Sequence, residues 1–161
     1  MATYLLAWNP RRWQWTDLPN RAAEVARGGA TMQRWSCGSA KGIKVGDRAF
    51  LIRLGVEPKG IVGAGTVVRE RFEGPHFEPA RAAQGDIVSR IEVRFDTLLD
   101  PDKQPLLAWE FLCTVAPFSI VRWDIRMSGV RIPNPVAVAL EEEWARFTEG
   151  GDAWPPREPE W

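Results

Sequence analysis

The side chains able to do chemistry are few and scattered. The chain has one histidine, His76, and two cysteines, Cys37 and Cys113, among 161 residues. A single imidazole rules out multi-histidine metal sites, and with them any nuclease that uses one histidine as base and others as ligands. The cysteines lie far apart and form no CxxC pair, so we expect buried thiols rather than a zinc site or a disulfide framework. GxSxG, GxxxxGK(S/T) and GxGxxG are all missing, which leaves acyl transfer, nucleotide hydrolysis and dinucleotide binding without local support. The run Gly60-Ile61-Val62-Gly63-Ala64-Gly65 is glycine-rich, but Thr66-Val67-Val68 continues it as a strand. It lacks the helix whose N-terminus would hold a phosphate, and close packing within a sheet explains it. The carboxylates show no spacing that marks a general acid and base, and a Gly46-Asp47 turn before a strand accounts for Asp47. Neither a cofactor, a metal nor catalysis is expected.

Aromatic chemistry is what remains. Nine tryptophans stand against a single tyrosine. Most must serve the core, yet a flat ring carrying one N–H donor also suits the wall of a pocket that stacks a base. Lysine plus arginine equals aspartate plus glutamate at 21 each, so bulk charge alone does not attract nucleic acid. The distribution is uneven: residues 1–72 carry twelve basic and five acidic side chains, and residues 73–161 carry nine and sixteen. This asymmetry permits a basic face on a neutral molecule, and equally permits salt pairing between two halves of one domain.

The elements that must position these residues follow from periodicity and turn chemistry. The length and the 45% apolar content suit one domain with a real core. Residues 3–7 form a short buried strand that Asn9 and Pro10 close. Thr16 or Asp17 caps a helix with Leu18, Ala22, Val25 and Ala26 on its apolar stripe, and Gly28-Gly29 ends it. Residues 31–38 run as a strand into a polar loop. Residues 48–54 and 60–68 are strands at the centre of the sheet, with Gly63 and Gly65 where a side chain would crowd a neighbour. Residues 71–86 read as a long loop over one face. Residues 89–99 alternate, with Ile91, Val93 and Phe95 on one side and Glu92, Arg94 and Asp96 on the other. Residues 106–112 are read either as strand or as short helix. Asn134 and Pro135 begin a last helix with Val136, Leu140, Trp144 and Phe147 on one stripe. The fold class is α+β, a curved or barrel-like, antiparallel-rich sheet flanked by helices, over residues 1–149, with a loose proline-rich tail or linker from 150 to 161. Without an apolar run long enough for a membrane helix, or a signal peptide, a soluble cytoplasmic protein is expected.

In order along the chain, Tyr4-Leu5-Leu6-Ala7-Trp8-Asn9-Pro10 with Trp13, Trp15 and Asp17, then Val45-Gly46-Asp47-Arg48-Ala49-Phe50-Leu51, then Gly60-Ile61-Val62-Gly63, and finally Ser128-Gly129-Val130-Arg131-Ile132 with Glu143-Trp144, resemble the EVE family. EVE lies within the PUA-like superfamily that also holds the YTH readers of methylated adenine. Arg34-Trp35-Ser36, His76-Phe77 and Trp123-Asp124 with Ser128-Gly129 are closer still to EVE domains fused to HNH nucleases in modification-dependent restriction. The likeness spans roughly residues 3–147. It implies a reader of modified cytosine, either free-standing or part of something longer, with a nuclease domain or protein acting in trans.

By that resemblance, Trp35-Ser36 supplies one wall and polar contacts of a base cage, and Phe77 a second wall, in place of the tryptophan found in YTH domains. Trp13 and Trp123 are further candidate walls. Ser36, the loop backbone at Cys37 and Gly38, Asp124 and Ser128 are candidates to read the base edge. Arg11, Arg12, Arg34, Lys41 and Lys44 flank the mouth in sequence and are candidates for phosphate contacts. His76 is read as bonding within its loop, and Trp8 and Trp109 as core. The ligand expected first is DNA with 5-methyl- or 5-hydroxymethylcytosine, held by base flipping. RNA is the second expectation. A small-molecule or enzymatic site, as in PUA-like relatives of the ASCH kind, is the third.

Overall fold

The computed structural model describes residues 1–150. It contains a seven-stranded, mostly antiparallel sheet flanked by helices. Strand β1 (Thr3–Trp8) is buried along nearly its whole length, as its unbroken apolar run requires. It pairs antiparallel with β7 (Val130–Ile132) and parallel with β3 (Arg48–Arg53). A parallel neighbour needs a long crossover. Here that crossover consists of α1 (Leu18–Ala26) and β2 (Thr31–Ser36). β4 (Gly60–Pro75) pairs with β3, with β5 (Ile87–Leu98) and with the two-residue β6 (Leu107–Ala108), giving the order β2-β5-β4-β3-β1-β7. The expected sheet centre, β3 and β4, is therefore observed.

The sheet rolls up. β4 is bulged against β5 at three places, around Ala64/Gly65, Val67/Arg69 and Arg69/Phe72, and each bulge adds bend and twist. At Gly65 a Cβ would collide with the Arg94 carbonyl, so the close approach needs glycine. β2 and β1 are four strands apart in the pairing order, yet the Trp35 indole N–H donates to the Ala7 carbonyl at 2.9 Å. This bond draws the edge strand across to β1 and gives the sheet its barrel-like form.

Each face of the sheet buries its own core. Inside the curl lie Tyr4, Leu6, Trp8, Leu51, Val62, Ile91, Val93 and Phe95, covered by Leu18, Ala22 and Val25 of α1. Outside lie Leu5, Phe50, Ile52, Ile61 and Ala64, covered by α3 (Trp109–Thr114) and α4 (Asn134–Gly150) through Leu112, Val136, Leu140 and Trp144. α4 is fastened by its Trp144 indole to Thr97 Oγ1 at 2.7 Å, and by Arg48, which bridges Glu141 and Asp96 at 2.7 Å each. Burial works against the Arg48 charge, but these two carboxylates outweigh it and hold the guanidinium above its ordinary pKa.

Several local expectations change. Residues 71–86 are no open loop: β4 continues to Pro75 and β5 starts at Ile87, and the hairpin tip carries the short helix α2 (Pro79–Ala83). This ribbon shows water on both faces, so it has no apolar alternation to reveal it. Asp17 stands at the start of α1 without a side-chain capping bond, because its carboxylate pairs with Arg21 at 2.7 Å. Ala26 is exposed, while the rest of the expected α1 stripe is buried. Residues 106–112 are strand and helix in succession, β6 followed directly by α3. No helix among the described residues is long and apolar enough to cross a membrane. The proposed tail, beyond the first residue assigned to it, lies outside the described residues.

Candidate nucleic-acid interface

Asparagine and proline end β1 as a tight turn, and the turn sorts the side chains after it. The Asn9 carbonyl accepts the N–H groups of Arg12 at 3.0 Å and Trp13 at 3.2 Å, and its Oδ1 accepts that of Arg11 at 3.0 Å. Arg11 and Arg12 are thereby left in solvent while Trp13 folds back onto the barrel end. The Trp8 indole fixes that return by donating to the Trp13 carbonyl at 3.0 Å. Trp13 meets Trp35 edge to face, with centroids 5.4 Å apart, and leans on Trp15 at 5.7 Å. Trp15 lies between Trp35 at 5.2 Å and Phe95 at 6.3 Å.

This aromatic cluster sits where β2 ends, beside two interlocked loops. Gly38 has φ +56° and a Cβ there would strike the Ser128 carbonyl; Gly129 has φ +93° and a Cβ there would strike the Cys37 carbonyl. Both positions therefore need glycine twice over, for the left-handed backbone and for the contact. Ser128 extends the β1–β7 ladder with its side chain. Its Oγ accepts the Ala7 N–H at 2.9 Å and donates to the Ala7 carbonyl at 3.3 Å, the carbonyl that also receives the Trp35 indole. Ser128→Ala should thus leave the Ala7 N–H unpaired and cost about 1–3 kcal/mol in chemical denaturation. An unchanged midpoint would mean that the hydroxyl does not carry this join.

Ser36 is half-buried, and its Oγ accepts the Gly38 N–H at 3.4 Å. Cys37 is wholly buried, and burial pushes its thiol pKa up, against the lowering field of Arg71, which favours the neutral thiol. Asp47 anchors the far end of the loop by accepting the N–H groups of Lys44 at 2.8 Å and Ala2 at 3.1 Å. Lys41 and Lys44 are exposed along that loop. Among the described residues no group of three or more His, Cys, Asp or Glu side chains is placed to hold a metal ion.

Thus Trp13, Trp35, Cys37 and Ser128 form one neighbourhood, but Ser36, which follows Trp35 on β2 and so turns to the other face of the strand, and other candidates fall elsewhere. Trp123 is 1% exposed in the outer core, across the sheet from Trp35, and its indole donates to the Phe118 carbonyl at 2.8 Å. Its place as a cage wall is corrected, because the chain alone does not say which face of the sheet a ring will cover. Asp124 is exposed and paired with Arg122 at 3.0 Å, a hydrogen bond that lowers its pKa. Phe77 lies on the β4–β5 ribbon, stacked on His76 at 4.4 Å, and not in the tryptophan cluster. The His76 Nδ1 accepts the Glu78 N–H at 3.0 Å, the bond within its own segment that was expected. Arg34 projects from the opposite face of β2 to Trp35, since successive strand side chains alternate.

Sequence reasoning missed two features of this site. Arg71 donates to the Ala40 carbonyl at 3.4 Å and bears on Cys37, but its stretch reads as loop. The Trp15 indole N–H is buried and has no hydrogen-bond partner among the described residues. Taken together, the arrangement offers tilted and edge-to-face indoles, one unused donor, the Ser128 hydroxyl and a basic rim.

No protein-family model matches the chain, and no curated protein matches it by sequence. Solved structures do match. One from Pseudomonas syringae has a TM-score of 0.62 at 16% identity, over 88% of this chain and 98% of that one. A hypothetical protein from Leishmania major has a TM-score of 0.61 at 16% identity, over 91% and 98%. Human THYN1, whose structure is of a complex with 5-methylcytosine-containing DNA, gives 0.48 at 14% identity, over 88% and 98%. At these identities the likeness is one of fold alone, that of a mixed, mostly antiparallel sheet with flanking helices.

Proposed function

We propose that the protein is a modified-base reader: it binds DNA containing 5-methyl- or 5-hydroxymethylcytosine by taking one extruded base into the Trp13–Trp15–Trp35 cluster, and does no chemistry on it. The observation that carries this reading is the unused Trp15 N–H amid those rings. A buried donor without an acceptor costs free energy that a bound acceptor recovers, and cytosine carries acceptors on its pairing edge. Extruding a base costs a few kcal/mol. Stacking returns about 1–3 kcal/mol per base, and a buried methyl adds about 0.8 kcal/mol. Trp13, the one half-exposed ring of the three, is the wall that must give way for a base to enter. Arg11, Arg12, Lys41 and Lys44 at the rim suit phosphates. The neutral Cys37 thiol favours binding over a catalytic use of the same place. A reader of this kind acts through what it recruits, and a nuclease domain or protein in trans is the partner class proposed.

The test is direct binding, at one stated salt concentration, of matched duplexes bearing cytosine, methylcytosine, hydroxymethylcytosine or methyladenine, with RNA counterparts. A preference of about tenfold or more for a modified cytosine, a difference of about 1.4 kcal/mol, is expected. Equal, weak, salt-sensitive binding to all of them would overturn the reading, and preference for a modified RNA would move it to that polymer.

A further inference from the structure

The outer face of β2, β5 and the far half of β4 is not covered by either core. Pairing register places its side chains in rows: Arg34 opposite Glu92 and Ser36 opposite Arg90 between β2 and β5, then Glu92 opposite Arg69 and Arg90 opposite Phe72 between β5 and β4. Arg34 and Arg69 both lie over the Phe72 ring, 5.7 Å and 3.7 Å from its centre. Burial and, after it, the charge of Arg34 push the Arg90 guanidinium below its ordinary pKa, a sign of like charges brought together. Exposed Arg94 continues the row along β5.

Several other arginines among the described residues are paired with carboxylates. Arg48 has two, and Arg21, Arg27, Arg81, Arg122 and Arg146 have one each. Among the described residues none of Arg34, Arg69, Arg90 and Arg94 is in an ion pair, although Glu92 stands in their midst. Arg34, Arg69, Arg90 and Arg94 surround Glu92, and Asp96, next in the row, is already paired with Arg48, so the four guanidiniums, two of them oriented by a shared ring, leave a surplus of positive charge with planar donors ready for anions. The spacing along a strand suits a polymer of phosphates better than a single ion. β2 is moreover an edge strand, whose Trp35 enters the tryptophan cluster while Arg34 faces outward.

We propose that Arg34, Arg69 and Arg90, gathered round Phe72, form a track for the phosphodiester backbone of the strand whose base enters the tryptophan cluster, so that one edge strand holds base and backbone on its two faces. The track rests on the base-reader reading for its ligand, though not for its charge. It lies apart from the rim residues of the two loops.

The experiment is a salt titration of duplex binding by the full chain carrying Arg69→Gln, Arg90→Gln, both together, and Glu92→Gln, with methylcytosine and cytosine duplexes. Each arginine loss should weaken both duplexes alike, by about tenfold, and reduce the slope of log K against log salt by about 0.9. Glu92→Gln should tighten both, and Arg69→Lys should keep most of the slope. Thermal melting checks that each variant is folded; if Arg69→Gln melts early through loss of its ring contact, Arg90→Gln and Glu92→Gln still decide. Parent affinity and slope in those variants, with the methylcytosine preference present, would overturn the track alone. Loss of slope where the parent shows no preference for a modified base would overturn the base reading and leave the track. No binding by the parent would overturn both.

Discussion

Trp35→Ala is expected to lower the stability of the protein by about 3–5 kcal/mol, and its melting temperature by on the order of 10 °C. The ring is 7% exposed, touches Trp13 and Trp15, and donates to the Ala7 carbonyl across the mouth of the curled sheet. Deleting it opens a cavity between β2 and α1 and releases the bond that closes the barrel. A simple alanine test of base recognition at this position therefore confounds binding with folding. Trp35→Phe is the sharper variant. It keeps an aromatic face, loses the N–H and part of the area, and should stay folded with about 1–3 kcal/mol less stability. Its preference for methylcytosine over cytosine should fall severalfold, while its binding to unmodified duplex changes little. An alanine variant that melts like the parent would show that the ring does not hold the sheet closed. A phenylalanine variant with full preference would remove Trp35 from the base site.

The parts of the fold legible in the sequence were those with one wet face and one dry one. Ile91, Val93 and Phe95 alternate with polar neighbours, and all three are fully buried. The stripes Leu18-Ala22-Val25 and Val136-Leu140-Trp144 likewise mark helices by what they bury. The β4–β5 ribbon beyond Val67 escaped because both of its faces meet water, so only its backbone ladder defines it. β7 escaped because three residues are too few to show a period, and one of its contacts, Ser128 to Ala7, is made by a side chain. The parallel pairing of β1 with β3 is a long-range fact that no local pattern encodes.

For the candidate site the same division holds. Trp35, Trp13 and Ser128 could be singled out in the chain, and the fold brings them together, while Ser36 turns to the other face of β2. Which face of the sheet a ring covers could not be read locally, and so Phe77 and Trp123 were grouped with residues they do not meet. Trp15 is buried in the inner core and is also the centre of the tryptophan cluster. Core and candidate pocket are here one set of rings, which composition cannot separate. Arg34, Arg69 and Arg90 were invisible as a group because the extension of β4 past Val68, which carries Arg69 and Phe72 beside them, was itself unread.

Trp123 supplies the complementary expectation. It is the most deeply buried tryptophan among the described residues, 1% exposed, against the outer face of the sheet, with its indole N–H satisfied by the Phe118 carbonyl. Trp123→Ala should therefore cost as much stability as the change at Trp35, about 3–5 kcal/mol, by the same cavity mechanism. Its consequence for recognition should differ. The two rings belong to separate cores on opposite faces of one sheet, so Trp123→Phe, which keeps most of the packing, should bind methylcytosine and cytosine duplexes with the parent ratio even where its melting point drops. Denaturation and duplex binding on the two phenylalanine variants, measured side by side, separate a ring that supports the sheet from a ring that also meets a base. A fall in the ratio at Trp123→Phe equal to that at Trp35→Phe would mean that discrimination tracks general stability, and the aromatic cluster at the end of β2 would then lose its claim to be the place where the base is held.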